Sequence, residues 1–464
     1  MAVPATACRS VTLNEPRSLI GLTPADRPSH TQVALRENGA VLSWGEFWSR
    51  VGAVALALAA QPGRRIALDT PDAADFLIGF LGVLHAGKQV VIPANFQHAS
   101  MAQCADTCDG VLDTAAIHHL PGVDGWTPGA PLSPDAAIEL TTSGSSGAPK
   151  PIAKRLIQLD AEVLAHQAQW GALLGTDPVF ATVPHFHIYG LLFRLLGPLS
   201  AGRPFDTAVA ATPHALLNRL RAHGRGTVIS SPAHLSRLGD LLDPVELAPY
   251  TAAIFSSGAP LAADTAATLG AALGQAPIEV YGSTETGGIA WRRQWPQAES
   301  PWQPLPGVDI AVDAACALQV RSPFADEDTP MATGDLAEML AGGRFHLRGR
   351  ADRIIKLEGK RVSLPAMEKQ LNAHPWIAAC AVIVLPGPRE QLGAIAVLTP
   401  DGRHQLDALG RRATIDALRA HLLAHFERVT LPRRWRFPAE LPYNERGKLP
   451  LDALQRLFDE AVPS

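Results

Sequence analysis

Thr141-Thr-Ser-Gly-Ser-Ser-Gly-Ala-Pro-Lys150 follows a short apolar run, Ala136–Leu140, that reads as a buried strand. This stretch contains two threonines, three serines, two glycines and one lysine. Glycine permits tight turns and close approach of the backbone to a ligand. The hydroxyls and backbone N–H groups supply hydrogen bonds, and Lys150 adds positive charge. Successive N–H groups in such a turn form an anion-binding concavity. A flexible Gly/Ser surface loop is the competing reading of these residues alone.

The flanking chain favours the anion site. Arg65–Leu68 reads as a strand, Ala73–Ala86 as an apolar helix and Val90–Pro93 as a second strand. That order predicts a parallel sheet with crossover helices. Further on, Thr227–Ile229 runs into Ser230-Ser231-Pro232, and Ala252–Phe255 into Ser256-Ser257-Gly258-Ala259-Pro260. Ile278–Val280 runs into Tyr281-Gly282-Ser283-Thr284-Glu285-Thr286-Gly287-Gly288. Small polar turns at the carboxyl ends of apolar strands converge on one crevice in such sheets. Val179–Val183 ends in Pro184-His185-Phe186-His187-Ile188-Tyr189-Gly190, which reads either as a pocket wall or as ordinary semi-buried packing.

Gly82–Lys88 resembles the start of a Walker A loop, but Gln89 stands where that motif needs Ser or Thr. Gly87 is expected to end a helix there. Ser43 is expected to cap a helix over Phe47–Ala60. Residues 301–345 read as short β segments, Ala366–Leu371 as the start of a helix, Ile377–Val384 and Gln391–Leu398 as strands, and Ile415–Phe426 as a helix.

The chain has 464 residues, 47% hydrophobic and 18% charged, which is too long for one ordinary domain. Its net charge of −4 points neither to nucleic acid nor to an anionic membrane surface. Five scattered cysteines fit a reducing compartment, and Cys104 and Cys108 read as ordinary thiols. No run reaches the roughly 18 apolar residues of a membrane span. Met1–Asn14 lacks the apolar core of a signal peptide, so a cytoplasmic location is expected.

Several stretches together resemble the adenylate-forming superfamily of acyl- and aryl-CoA synthetases, peptide-synthetase adenylation domains and luciferase. Thr142–Lys150 is similar to its phosphate loop, and Tyr281–Glu285 to its Tyr-Gly-x-Thr-Glu motif. Thr333-Gly334-Asp335 is similar to its Thr-Gly-Asp motif, and Gly349–Gly359 to its Gly-Arg-x-Asp hinge. Leu441–Lys448 is similar to its C-terminal lysine turn.

The resemblance implies an α/β fold. A large N-terminal domain, residues 1–351, would hold mixed and parallel sheets with flanking helices. A small mobile α+β domain, residues 352–464, would turn about Asp352. It also implies ATP and Mg²⁺ as cofactors. Thr142, Ser143, Gly144, Ser145, Ser146, Gly147 and Lys150 would hold the β- and γ-phosphates. Thr284 would meet the α-phosphate and Glu285 the metal. Tyr281 and Gly282, with Gly258, Ala259 and Pro260, would flank adenine, and Asp335 with Arg350 would hold the ribose. Lys448 would neutralise both the attacking carboxylate and the α-phosphate. Ser146 stands where the family often has Thr, which keeps the hydroxyl.

His187, Tyr189, Ser230, Ser231, Ser256, Ser257, Gly258, Ser283 and Gly288 would line the acid pocket. Small residues with hydroxyls suit an aryl acid such as a hydroxybenzoate, and the short form resembles ligases feeding 4-hydroxybenzoate into aryl-polyene pigments. A medium-chain fatty acid is the rival. The thiol acceptor would be CoA or the phosphopantetheine of an acyl carrier protein, toward which Arg433, Arg434 and Arg436 offer charge unless they form a solvated face. A P-loop phosphotransferase is disfavoured because Pro151 follows Lys150. An inactive nucleotide-binding protein is disfavoured by the presence of Glu285, Asp335 and Lys448.

Overall fold

Apolar runs bounded by turns build two sheets in the N-terminal part of the chain. The computed structural model describes residues 15–143, 149–297, 300–326, 329–357, 360–385, 391–444 and 449–459. In a five-stranded sheet, Gly110–Asp113, Arg65–Asp69, Gln89–Ile92 and Ala137–Ser143 run parallel in that order. Pro149–Arg155 closes its edge antiparallel to Ala137–Ser143. A nine-stranded sheet has a parallel centre in the order Ile278–Ser283, Thr251–Ser256, Gly226–Ser230, Val179–Ala181, Phe205–Val209 and Gln32–Leu35. Antiparallel strands flank it, with Gly287–Arg292 and Gln303–Pro304 on one side and Val41–Ser43 on the other.

Local chemistry sets the helices. Ser43 Oγ accepts the amide of Glu46 at 3.2 Å and starts the helix Trp44–Ala59. That helix buries Phe47, Val51, Val54 and Leu58. Asp72 Oδ1 caps Ala73–His85 through the amides of Ala74 and Asp75. The Walker-like lysine that follows is structural, since Lys88 Nζ donates to the carbonyls of Gln61, Pro62 and Gly63.

The described residues divide into two compact units. The first holds 15–143, 149–310 and 320–331; the second holds 311–319 and 332–459. The expected boundary at 351/352 thus falls inside the second unit. Strands Asp309–Val312, Ala317–Arg321, Met331–Met339 and Phe345–Arg350 form a four-stranded sheet in sequence order. Ile354–Leu357 and Lys360–Ser363 form a separate hairpin.

The C-terminal core lies on both faces of a sheet ordered Ile377–Leu385, Gln391–Leu398 and Arg434–Arg436. Met367, Leu371, Val382, Leu392, Leu418 and Leu422 fill one face. Ile383, Ile395, Leu454 and Phe458 fill the other. The helix expected from Ile415 begins earlier, over Pro400–Leu423, with a backbone break at Gly410. Thr399 caps it through the amide of Gly402, and its first half is too polar for apolar periodicity to reveal.

Two of the three basic residues expected to face a partner are engaged at a helix end. Arg434 Nη2 donates to the carbonyl of Phe458 at 2.5 Å, and Arg436 Nε donates to that of Leu457 at 2.7 Å. Both guanidiniums also lie over the Phe458 ring, 5.3 and 5.0 Å from its centroid. Cations there complement the helix dipole of Leu451–Asp459. Among the described residues no helix is long and apolar enough to cross a membrane.

Candidate active site

The described ends of the opening stretch are strand. Thr141, Thr142 and Ser143 end one strand, and Thr142 pairs with Lys150 and Ser143 with Pro149 in the next. Gly144, Ser145, Ser146 and Gly147 lie outside the described residues, as does Lys448. Lys150 Nζ stands 4.0 Å from Glu285 Oε1, with side chains 65% and 42% exposed. Glu285 comes from the turn after the strand Ile278–Ser283, so two sheets contribute to one charged pair.

That turn is tightly bonded within itself. The amide of Ser283 donates to Thr286 Oγ1 at 3.1 Å, and the amide of Thr286 donates to Ser283 Oγ at 3.2 Å. Thr284 is half-buried at its centre. Tyr281 lies before it, with its ring 5.6 Å from that of Trp302. Gly282 pairs with Gly288 across the turn. A Cβ at Gly288 would lie 2.7 Å from Leu305 Cδ1 and 3.0 Å from Glu162 Oε1, so those side chains would have to shift to admit one. Gly258, Ala259 and Pro260 follow the strand Thr251–Ser256 as an open loop.

The hydroxyls expected to line a pocket are mostly engaged within the protein. Ser230 Oγ lies 2.8 Å from Thr182 Oγ1, and Ser231 Oγ lies 2.9 Å from His234 Nδ1. Ser257 Oγ donates to the carbonyl of Val280 at 2.8 Å. Ser256 Oγ differs: it is buried with no hydrogen-bond partner among the described residues.

His187 is half-buried, and its ring packs edge-on against Phe186 at 4.6 Å. Its backbone carbonyl accepts the amide of Leu191. The more deeply buried histidine is His185, whose Nε2 lies 3.2 Å from the carbonyl of Thr70. Burial, aided by the charge of Arg194, holds His185 well below the usual imidazole range. Burial also raises the phenol of Tyr189 well above its ordinary value.

Three buried residues escaped the sequence reading. Lys154 Nζ donates to the carbonyls of Glu285 and Phe324. Glu162 Oε1 accepts the amide of Gly288 at 2.6 Å. His166 Nε2 lies 3.6 Å from Glu162 Oε1. The available signals were the period-two lysines Lys150 and Lys154 and the i, i+4 spacing of Glu162 and His166.

Asp335 and Arg350 belong to the second unit, facing each other in register across their strands. Arg350 Nη1 lies 3.9 Å from Asp335 Oδ1. Thr333 Oγ1 accepts the amide of Asp335 at 3.1 Å, and Gly334 between them takes a left-handed φ of +77°. Asp352 sits in the single turn Ala351–Arg353. Beside it, Arg353 is anchored to Glu368 at 2.6 and 3.0 Å and to the carbonyl of Val382.

A family model described as AMP-binding enzyme matches residues 110–318. The 4-coumarate–CoA ligase of Halorhodospira halophila is 31% identical over 318 residues, covering 68% of this chain and 75% of that protein. The chain belongs to the AMP-binding enzyme family. It is thus a member of the adenylate-forming superfamily, an AMP-forming acid–thiol ligase.

The L-proline–[L-prolyl-carrier protein] ligase of Streptomyces coelicolor is 27% identical over 495 residues, covering 88% of this chain and 90% of that one. Among solved structures, ATP-bound MatB from Rhodopseudomonas palustris superposes with a TM-score of 0.77 at 20% identity, covering 96% and 99% of the two chains. The adenylate-forming fold therefore extends over nearly the whole chain. Among the described residues no group of three or more His, Cys, Asp or Glu stands ready as a metal cage. The exposed carboxylate of Glu285, beside Lys150, has the hard oxygen donors that would suit Mg²⁺.

Proposed function

We propose that this ligase activates an aryl acid, a hydroxybenzoate in the favoured case, and passes it to a thiol. The acid's carboxylate attacks the α-phosphorus of ATP, an acyl–O–P bond forms, and pyrophosphate leaves. The thiol sulfur then attacks the acyl carbon, AMP leaves, and the thiol proton passes to solvent. Both steps require anions to be brought together, so positioning and preorganised positive charge supply most of the catalysis.

The assignment of residues is part of the proposal. Ser143–Gly147 and Lys150 hold the β- and γ-phosphates. Thr284 meets the α-phosphate, Glu285 binds Mg²⁺, and Tyr281 lies against adenine. Asp335 and Arg350 hold the ribose. Lys448 neutralises the acid and the α-phosphate, and Asp352, inside the second unit, is the hinge.

The observation that carries the aryl reading is Ser256. Its buried hydroxyl has no hydrogen-bond partner among the described residues, and a ring hydroxyl would supply one. The relative named for 4-coumarate, itself a hydroxylated aryl acid, agrees with this. The relative named for a carrier protein supports phosphopantetheine as an acceptor beside CoA.

ATP–pyrophosphate exchange with benzoates and medium-chain alkanoates tests the acid. Strong exchange with 4-hydroxybenzoate is expected; exchange with octanoate and none with any benzoate would replace the aryl acid by a fatty acid. Product analysis with CoA and with a carrier protein separates the acceptors. Lys448→Ala is expected to cut exchange at least about a hundredfold with little change in ATP binding.

A further inference from the structure

The strand Pro149–Arg155 places Lys150, Ile152 and Lys154 on one face, because side chains alternate along a strand. Both lysines meet Glu285. Lys150 approaches its carboxylate, and Lys154 Nζ donates to its backbone carbonyl at 2.7 Å. A second bond from Lys154 Nζ, at 2.8 Å, goes to the carbonyl of Phe324. Lys154 is only 4% exposed, and an ammonium in that position is costly unless partners compensate it. Burial lowers its pKa, while Glu162, Glu285 and Asp326 oppose that shift.

The helix Leu156–Leu174, which follows directly, carries a second buried contact to the same turn. Glu162, 3% exposed, accepts the amide of Gly288 at 2.6 Å. Lys154 and Glu162 therefore grip the two ends of Glu285–Gly288, and Thr286 ties the middle to Ser283. A turn that served only to connect two strands needs no buried ion on either side. Apolar packing would stabilise it as well or better.

We infer that Lys154 and Glu162 are positioning residues for adenylation. Lys154 sets the nucleotide end of the turn at Glu285, and Glu162 sets the acid end at Gly288. This rests on the reading that Glu285 serves the nucleotide and Gly288 borders the acid pocket. The two contacts then act on different substrates, which two merely structural contacts do not do.

The test is ATP–pyrophosphate exchange by the full chain with 4-hydroxybenzoate, or with the acid that exchanges best in the panel above. Apparent KM values for MgATP and for the acid are read separately. Lys154→Met is expected to raise the MgATP KM about fivefold or more and the acid KM less than about twofold. Glu162→Leu is expected to do the reverse. Glu162→Gln keeps an oxygen for the Gly288 amide and is expected to restore the acid KM to within about twofold of the parent.

If both apolar variants move the two KM values together, or move neither while the melting temperature falls, the pair is structural and the inference is overturned. Should Lys154→Met show no cooperative thermal transition, Lys154→Gln replaces it, with a smaller shift of the same kind expected; equal shifts in both KM values would again overturn the inference. Glu285→Gln is the reference variant. An unchanged MgATP KM there sinks the assignment of Glu285, and the inference with it. Absence of exchange with every acid instead sinks the proposed function.

Discussion

Lys150 and Glu285 come from different sheets and meet with Nζ 4.0 Å from Oε1, both side chains well exposed. An exposed pair of this kind contributes at most about 1 kcal/mol to folding. Its placement, with Lys150 at the start of a strand of one sheet and Glu285 in a turn of the other, makes sense as a ligand site, where ammonium and carboxylate address the phosphates and the cation they carry. Lys150→Met and Glu285→Gln are therefore expected to change the unfolding free energy by less than about 1 kcal/mol. Each is expected to lower exchange kcat/KM by about a hundredfold or more. Urea unfolding and pyrophosphate exchange on the same preparations check this. A large stability loss with modest kinetic loss would make the pair structural.

Ser256 yields a specificity prediction. A buried hydroxyl without a partner costs about 1–3 kcal/mol, and a bound ring hydroxyl would recover part of that. Ser256→Ala is expected to leave stability equal or slightly higher. It is also expected to reduce the preference for 4-hydroxybenzoate over benzoate about tenfold, read as a ratio of kcat/KM values. An unchanged ratio would place the ring hydroxyl elsewhere.

The strands and their polar ends were legible because they carry apolar runs stopped by Gly, Ser and Pro. The helix Ala73–His85 ends one residue short of the expected run, and Thr251–Ser256 extends the expected run by one residue at each end. Asp335 and Arg350 were named by motif, and the structure adds that they face each other across two strands. The strand Pro149–Arg155 was not read because two prolines and three charged residues mask its alternation. Lys154 and Glu162 were missed for a related reason. A charged residue in sequence reads as solvent-facing, and only the fold shows that a carbonyl pair and an amide await them in the interior.

Arg194 makes a prediction about stability alone. It is fully buried and donates to the carbonyls of Val183, Asp206, Thr207 and Ala208. It thereby ties the segment after His187 to the strand Phe205–Val209 inside the large sheet. Burial lowers its pKa to about 10, so it stays charged at neutral pH. Arg194→Met leaves those carbonyls unpaired and is expected to cost about 3–5 kcal/mol in urea unfolding. A loss below about 1 kcal/mol would mean that the carbonyls find other partners.

Glu162 predicts a pH dependence whose direction follows from its burial. The carboxyl titrates near 4.5 when solvated, and burial raises it to about 7 in the folded chain, against the opposing pull of the Gly288 amide and the Lys154 charge. His166, 3.6 Å away on the same helix, adds no charge because burial lowers its pKa to about 3. Between pH 4.5 and about 7 the unfolded chain releases a proton that the folded chain retains. Raising the pH through that window therefore favours unfolding, and above about 7 the contribution is constant. Integrated over the window, it amounts to about 3 kcal/mol. Glu162→Gln removes the titration, so its stability relative to the parent is expected to rise steadily from pH 4.5 to about 7 and then level off. Denaturant unfolding of both proteins across this range measures the difference. A flat difference would mean that Glu162 is already ionised at the lower end, with the Lys154 charge outweighing burial.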